Sequence, residues 1–391
     1  RLYLIFYIYL VLTYVFHRQM QIPDDIWCEI LSRLDQPWHI VKMRVNKHLA
    51  VLAPRCIYTV DMGQYPKANG RLLPNITSLI TRIASLKHFT NVTNLDITNC
   101  ALHNISHMTK LKKLTIDGND HVCDADIVGL TNLTTLEAYA TIISDVGIMP
   151  LTNLTKLSIG CCKITNKGPY NLAKLQSLLL YESEITDISG LVELKELYLN
   201  QESQISDNSI SKLTNLTVLD LGDNTLITDA GISGLTQLLK LGLCCNGVIT
   251  DAGVCTLTSL VTLVARYSSI SFAPVSLTKL DAKDSEISAD SIRGLTNLTT
   301  LAINACAPAI TDLTNLTKLT LTGDICDNTI LRKLTNLRIL DMCAIMNGQW
   351  DFSHMHNLDT LYVCAGTDVG IGAWPRRIIY HESDPLSLLP Y

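Results

Sequence analysis

The chain has 391 residues, 47% of them apolar, 17% charged and 6% aromatic, with 31 Lys and Arg against 36 Asp and Glu for a net charge of -5. That much apolar surface excludes wholesale disorder, because burying it offsets the entropy of ordering the chain. The mildly acidic balance excludes a general nucleic-acid binder, which needs an excess of cations to meet phosphates.

Residues 1–19 come first. Leu2 to Phe16 is an almost unbroken apolar run, preceded by Arg1 and followed by His17 and Arg18. It is shorter than the roughly 20 residues a helix needs to cross a bilayer. No small-residue cleavage site of the A-x-A kind follows it. Met20 stands directly before a well-formed motif, so the run reads as an extension outside the native protein, with a membrane anchor and a secretory signal as the alternatives.

Residues 20–60 have helical periodicity. Ile26, Ile30 and Leu34 fall at i, i+4 and i+8, and Val41, Val45, Leu49 and Leu52 continue a second apolar stripe. Asp24 and Asp25 sit where a helix start favours negative charge. Such a unit is too small to be robust without something to pack against. Its Ile22-Pro23 start, its Glu29-Ile30-Leu31 core, Leu34 and the later Val45-Asn46-Lys47-His48-Leu49 resemble the F-box, whose pattern is Leu-Pro, E-I-L, L and V-C-[KR]-x-W. Asn46 stands where the family has cysteine and Leu49 where it has tryptophan. The resemblance implies docking on the small adaptor of a cullin-RING ubiquitin ligase. Ile22, Pro23, Ile26, Ile30, Leu31 and Leu34 would form the adaptor-facing or helix-packing apolar surface.

Residues 61–91 read as a linker and N-terminal cap, with Ile76/Leu79 as a degenerate repeat. From Val92 a Leu-x-x-Leu pair then recurs through fourteen units to Leu358/Leu361, at a mean period of about 21 residues, inside the range of leucine-rich repeats. The unit is seen almost intact in Leu216 to Gln237 and Leu238 to Ser259. Its Leu-x-Leu stretch has period two and predicts a short strand with one face inward. A polar residue follows at the ninth position: Asn119, Asn224 and Asn246, or Cys100, Cys162, Cys306, Thr141, Ser183, Ser268, Ser285 and Asp324. There a buried side chain is expected to satisfy its neighbours' backbone groups. Asp145, Asp187, Asp229 and Asp251 are expected to cap a short helical return segment, and Gly147, Gly231 and Gly253 to permit close packing.

One unit loses on the order of 30 kcal/mol of conformational entropy. Its four or five Leu or Ile side chains return roughly 1.5 to 3 kcal/mol each. Units must therefore stack. The fold expected is α/β: a leucine-rich-repeat solenoid over residues 92–366, parallel strands on its concave face, a small all-α F-box-like unit before it, and a cap and tail at 367–391. The steps from Leu260 to Leu277 and from Leu298 to Leu316 shorten to 17 and 18 residues and contain Pro274 and Pro308. These units are expected to have lost most of the return segment, repeat decay being a simpler reading than functional irregularity.

No catalytic constellation survives a search. There is no P-loop, G-x-S-x-G elbow or H-E-x-x-H, and Gly370-Ile-Gly372 runs into Ala-Trp-Pro and fails as a dinucleotide fingerprint. His354 and His356 near Asp351 read as solvated rather than as metal ligands. The doublets Cys161/Cys162 and Cys244/Cys245 lack the spacer of a zinc knuckle. The thirteen cysteines are odd in number and follow the repeat, which favours reduced thiols. An enzyme is not expected, and neither is a metal or a cofactor. Eight Asn-x-Ser/Thr sequons occur, most of them inside the recurrent Leu-Thr-Asn-Leu-Thr string that the repeat itself generates.

What remains is surface. Counting along each unit puts Tyr139, Tyr181, Glu182, Tyr198, Arg266, Tyr267, Lys283 and Tyr362 on the concave face. Tyr and Arg are enriched at binding hot spots, although scattered solvated positions are an equal alternative. With the F-box resemblance, the expected function is substrate recognition for a cullin-RING ligase in the cytoplasm or nucleus. The partners are the adaptor and a target protein, with no nucleic acid and no small-molecule substrate, and a membrane only if residues 1–19 are a native anchor. A membrane-anchored or secreted repeat receptor, and a repeat scaffold with no ligase link, are the alternatives.

Overall fold

Each Leu-x-Leu stretch folds as a short strand that adds to the one before. The structure, a computed structural model, describes residues 59–61, 78–80, 86, 89–200, 202–288, 290–304, 308–322, 328–342, 352, 354–364 and 377–381. The F-box-like residues Ile22, Pro23, Ile26, Ile30, Leu31 and Leu34 lie outside them, as do the run at 1–19, Cys306, Asp324, Asp351 and Gly370.

The first nine strands are β1 (Thr59–Asp61), β2 (Ser78–Ile80), β3 (Asn94–Asp96), β4 (Lys113–Thr115), β5 (Thr135–Tyr139), β6 (Lys156–Gly160), β7 (Ser177–Tyr181), β8 (Glu196–Leu199) and β9 (Val218–Asp220). The other eight are β10 (Lys240–Gly242), β11 (Thr262–Val264), β12 (Lys279–Ala282), β13 (Thr300–Ile303), β14 (Lys318–Leu321), β15 (Ile339–Met342), β16 (Thr360–Cys364) and β17 (Arg377–His381). Every strand pairs in parallel with the next in sequence, so the sheet is one open ribbon. One residue per strand forms an in-register row that begins Val60, Leu79, Leu95, Leu114, Leu136 and ends Leu361, Ile378. A slip by one residue would turn every one of these leucines to solvent, which fixes the register. β2 carries the degenerate Leu79 unit, and β1 and β17 extend the sheet past both ends of the fourteen-unit array.

The chain returns through four-residue helices α1 (Asp124–Ile127), α2 (Asp145–Ile148), α3 (Asp207–Ile210), α4 (Asp229–Ile232) and α5 (Asp251–Val254), or through 3₁₀ turns. A helical return is wider than the ~4.8 Å between strands, so stacking curves the ribbon with its strands on the concave side. Ile127, Ile148, Ile210 and Ile232 close the core from the return side, each with no exposed surface. The Pro274 unit has no helix between β11 and β12, as its short step predicts. The Pro308 unit departs from the prediction: the proline opens a 3₁₀ helix, Pro308–Asp312, because its fixed φ suits a helix start.

Three of the four aspartates do a different job from the one expected. Their caps are the preceding hydroxyls: Ser144, Thr228 and Thr250 accept from Val146, Ala230 and Ala252 N–H at 3.3, 3.3 and 3.2 Å. Asp187 does accept the N–H of Ser189 in its own return segment at 2.9 Å, together with the Ser209 hydroxyl of the next unit at 3.2 Å. The others reach only into the next unit. Asp229 accepts both the backbone N–H of Thr250 at 2.8 Å and its hydroxyl at 2.6 Å. Asp124, Asp145, Asp207 and Asp251 repeat the bond to Ser144, Thr165, Thr228 and Ser271. This explains the glycines, since a Cβ at Gly147, Gly231 or Gly253 would strike the carboxylate of Asp124, Asp207 or Asp229.

These bonds make stability depend on acid. The Ser189 backbone N–H holds Asp187 below the usual carboxylate range. Burial alone would raise Asp251, but the Ser271 hydroxyl and the Phe272 and Ser271 N–H groups outweigh it and leave it lowered. A carboxylate whose folded pKa is depressed contributes stability above its unfolded pKa and loses it as pH falls through the folded value. The urea midpoint is therefore expected to fall as pH drops below ~4. In Asp187→Asn/Asp251→Asn that fall should be shallower, and equal acid limbs in urea melts of the two proteins would refute the assignment.

Candidate protein-recognition face

Alternation along each strand leaves three outward positions facing the concave side. The first carries a row of lysines, Lys113, Lys156, Lys240, Lys279 and Lys318. The second and third carry carboxylates and tyrosines. Tyr139 ends β5 and Tyr181 ends β7, and their rings meet edge to face with centroids 6.1 Å apart and planes at 89°. They span an intervening strand, which is possible because Gly160, paired in register with both, has no side chain. Both tyrosines stay over a third exposed, at 39% and 37%. Tyr198 on the next strand is half-buried and lies in register with Leu179.

The electrostatics around this pair are one-signed. The Tyr139 hydroxyl is held above its usual pKa first by its hydrogen bond to Cys161 and then by the nearby Glu182 carboxylate. The Cys161 thiol donates to Glu182 Oε2 at 3.0 Å. Tyr139 pulls that thiol's pKa down while Glu182 and burial push it up, and the net shift is upward, away from a reactive thiolate. Burial raises Asp117, helped by Glu137 and Asp96 and opposed by the Tyr139 N–H it accepts at 2.8 Å. Burial likewise raises Asp220 and Tyr198, the latter also through Glu196 and Asp220. Glu137 is the exception. Burial opposes its charge, but the Thr115 hydroxyl at 3.0 Å and the ammonium groups of Lys113 and Lys156 at 3.3 and 3.5 Å leave it lowered.

The sheet brings Tyr139, Tyr181, Glu182 and Tyr198 into this one patch. Arg266, Tyr267 and Lys283 form a second patch beyond β11, roughly 14 Å away across three strand spacings. Arg266 is engaged there, its Nε and Nη2 bonding Asp281 Oδ2 at 2.7 and 2.6 Å. Tyr362, half-buried on β16, is far from both. Glu182 and Tyr267 are not strand residues but sit at φ 44° and 51°, in the left-handed turn that also holds Asn99, Ala140, Cys161, Cys245 and Asp284. The turn recurs because its N–H reaches the next unit's carbonyl, as from Ala140 to Gly160 at 2.9 Å and from Tyr267 to Lys283 at 3.1 Å. Counting missed Gly160, Asp117, Glu137, Asp220 and Asp281. Aligning the units column by column would have exposed Gly160 as the bare position between two tyrosines.

Other singled-out residues have structural partners. A ring nitrogen of His354 lies 3.3 Å from the Leu331 carbonyl, and His356 is exposed. Seven cysteines among the described residues are outside any disulfide. The sequon asparagines Asn132, Asn153, Asn215 and Asn315 each donate Nδ2 to a carbonyl of the preceding unit, at 2.8 to 3.0 Å. Asn336 and Asn357 make the same bond at 2.9 and 3.0 Å without being sequons. The asparagine is thus explained by stacking, with no glycan required.

No protein-family profile matches the chain, and no curated protein is significantly similar to it. Among solved structures, a leucine-rich-repeat protein of Leptospira interrogans superposes with a TM-score of 0.52 at 20% identity, covering 77% of this chain and 94% of that one. An internalin of Listeria monocytogenes gives 0.46 at 23% identity, over 90% and 95%. The parallel ribbon, its inward leucine row and the Leptospira likeness define a leucine-rich-repeat solenoid.

Proposed function

We propose that this chain is a non-catalytic recognition protein whose concave face holds a target protein. The observation that carries the reading is the exposed Tyr139–Tyr181 pair, a rigid amphipathic contact surface fixed over Gly160. Such aromatic anchors supply large contact area at low entropy cost.

The finer reading follows from the F-box resemblance of residues 20–60. The chain is a substrate-recognition subunit of a cullin-RING ubiquitin ligase, working in the cytoplasm or nucleus. Its Ile22, Pro23, Ile26, Ile30, Leu31 and Leu34 dock the adaptor while the solenoid holds the target. No residue of the chain performs the transfer. Tethering raises the effective concentration of a target lysine near the conjugating enzyme, to the millimolar order for a short connection. A pulldown from eukaryotic extract with the chain begun at Met20 is expected to recover the adaptor. The Ile22→Ala/Pro23→Ala/Leu34→Ala version is expected to lose it. Adaptor absent from both would overturn the ligase reading and leave a repeat receptor or scaffold.

A further inference from the structure

The charge sorting on the concave face identifies what kind of partner fits it. From β3 to β9, the second and third outward positions and the turn residue after them hold no Lys or Arg among the described residues. They hold Asp96, Asp117, Glu137, Glu182 and Asp220 around the three tyrosines. Lys113 and Lys156, on the strands' first positions, both point their ammonium groups at Glu137. Lys113 and Lys240 attract Asp117 and Asp220 from further off, but for Asp117 the repulsion by Glu137 and Asp96 is the larger effect. A cation placed here would relieve that repulsion. Phosphate-bearing ligands would add to it.

Resting on the reading of this face as the recognition surface, we infer that the Tyr139–Tyr181–Tyr198 patch receives an extended, arginine-bearing segment of the partner protein. A guanidinium stacks on a tyrosine face, and its in-plane N–H groups reach carboxylates beside the ring, which an ammonium cannot do at once.

Fluorescence anisotropy of labelled octa-arginine with the 391-residue chain tests this, with octa-glutamate and a Gly-Ser octamer as comparison probes. Octa-arginine is expected to bind saturably and more weakly at high salt. Tyr139→Ala/Tyr181→Ala is expected to weaken it about tenfold or more and Glu182→Gln several-fold, whereas Tyr170→Ala, 83% exposed on a return segment, leaves it unchanged. No saturable binding, or equal loss in all three variants, overturns the inference. A displayed random-peptide library separates this outcome from failure of the recognition reading. Arginine motifs enriched by the parent chain and lost with the double variant support the inference. Acidic or neutral motifs lost with that variant overturn it but leave the face a recognition surface, and enrichment indifferent to the variant overturns both.

Discussion

Replacing Asn246 by alanine is expected to destabilise the solenoid by about 3 to 6 kcal/mol, with Ser285→Ala costing about 1 kcal/mol. The two residues occupy the same ninth position of their units, and the difference lies in reach. Asn246 has no exposed surface. Its Oδ1 accepts the N–H groups of Val248 and Ile249 at 3.0 and 2.9 Å, and its Nδ2 donates to the Asn224 carbonyl of the preceding unit at 2.8 Å. Truncation leaves two buried backbone groups and one part-buried group, the Val248 N–H, without partners, each worth about 1 to 3 kcal/mol. Ser285 is too short to cross to its neighbour: its hydroxyl donates to the Ala282 carbonyl at 2.9 Å and accepts the Ile287 N–H at 3.3 Å, both within its own unit and only part-buried. Because coupling in a stacked array is between nearest neighbours, the Asn246 variant should also split one unfolding transition into two. Urea melts followed by circular dichroism check both points. Equal losses in the two variants would mean that the buried asparagines do not bind unit to unit.

Leu241 and Asn246 were legible in the sequence for one reason: each depends only on its place within a unit, and the unit is printed fourteen times. Gly253 was legible as a small residue but not in its cause. Its partner Asp229 lies in the previous coil, and spacing alone does not say that an aspartate at a helix start will reach forward to the next cap rather than back to its own. Tyr139 and Tyr181 share a column of the repeat and are visible in it, whereas the role of Gly160 comes from what its two neighbours do above it and is not. Arg266 illustrates the limit for charge. Its exposure to a partner depends on Asp281, one strand on, which binds it. Glu182 and Tyr267 lie one residue past the strand alternation, in a turn of opposite handedness that still holds Glu182 beside the Tyr139–Tyr181 pair. The F-box resemblance is carried by the sequence of residues 20–60 alone.

Gly160→Val is expected to lower stability by about 3 kcal/mol and to weaken octa-arginine binding about as much as removing both tyrosines. A Cβ on residue 160 would run into the Tyr181 carbonyl oxygen and Cβ and press on the Tyr139 ring. The carbonyl cannot retreat cheaply, because Gly160 and Tyr181 are register partners and β7 is held on its other side by β8. The first loss is therefore backbone strain between two central strands, and the second is the edge-to-face contact, which needs the bare position to close. Gly234→Ala separates these effects from a general cost of replacing glycine, since nothing lies within 4 Å of its added Cβ. Its unfolding free energy should change by no more than about 0.5 kcal/mol and its anisotropy curve should overlay the parent. If Gly160→Val kept full octa-arginine affinity while losing stability, the tyrosines would bind independently of each other. The recognition surface would then be two separate side chains and not the rigid pair that the ribbon holds over Gly160.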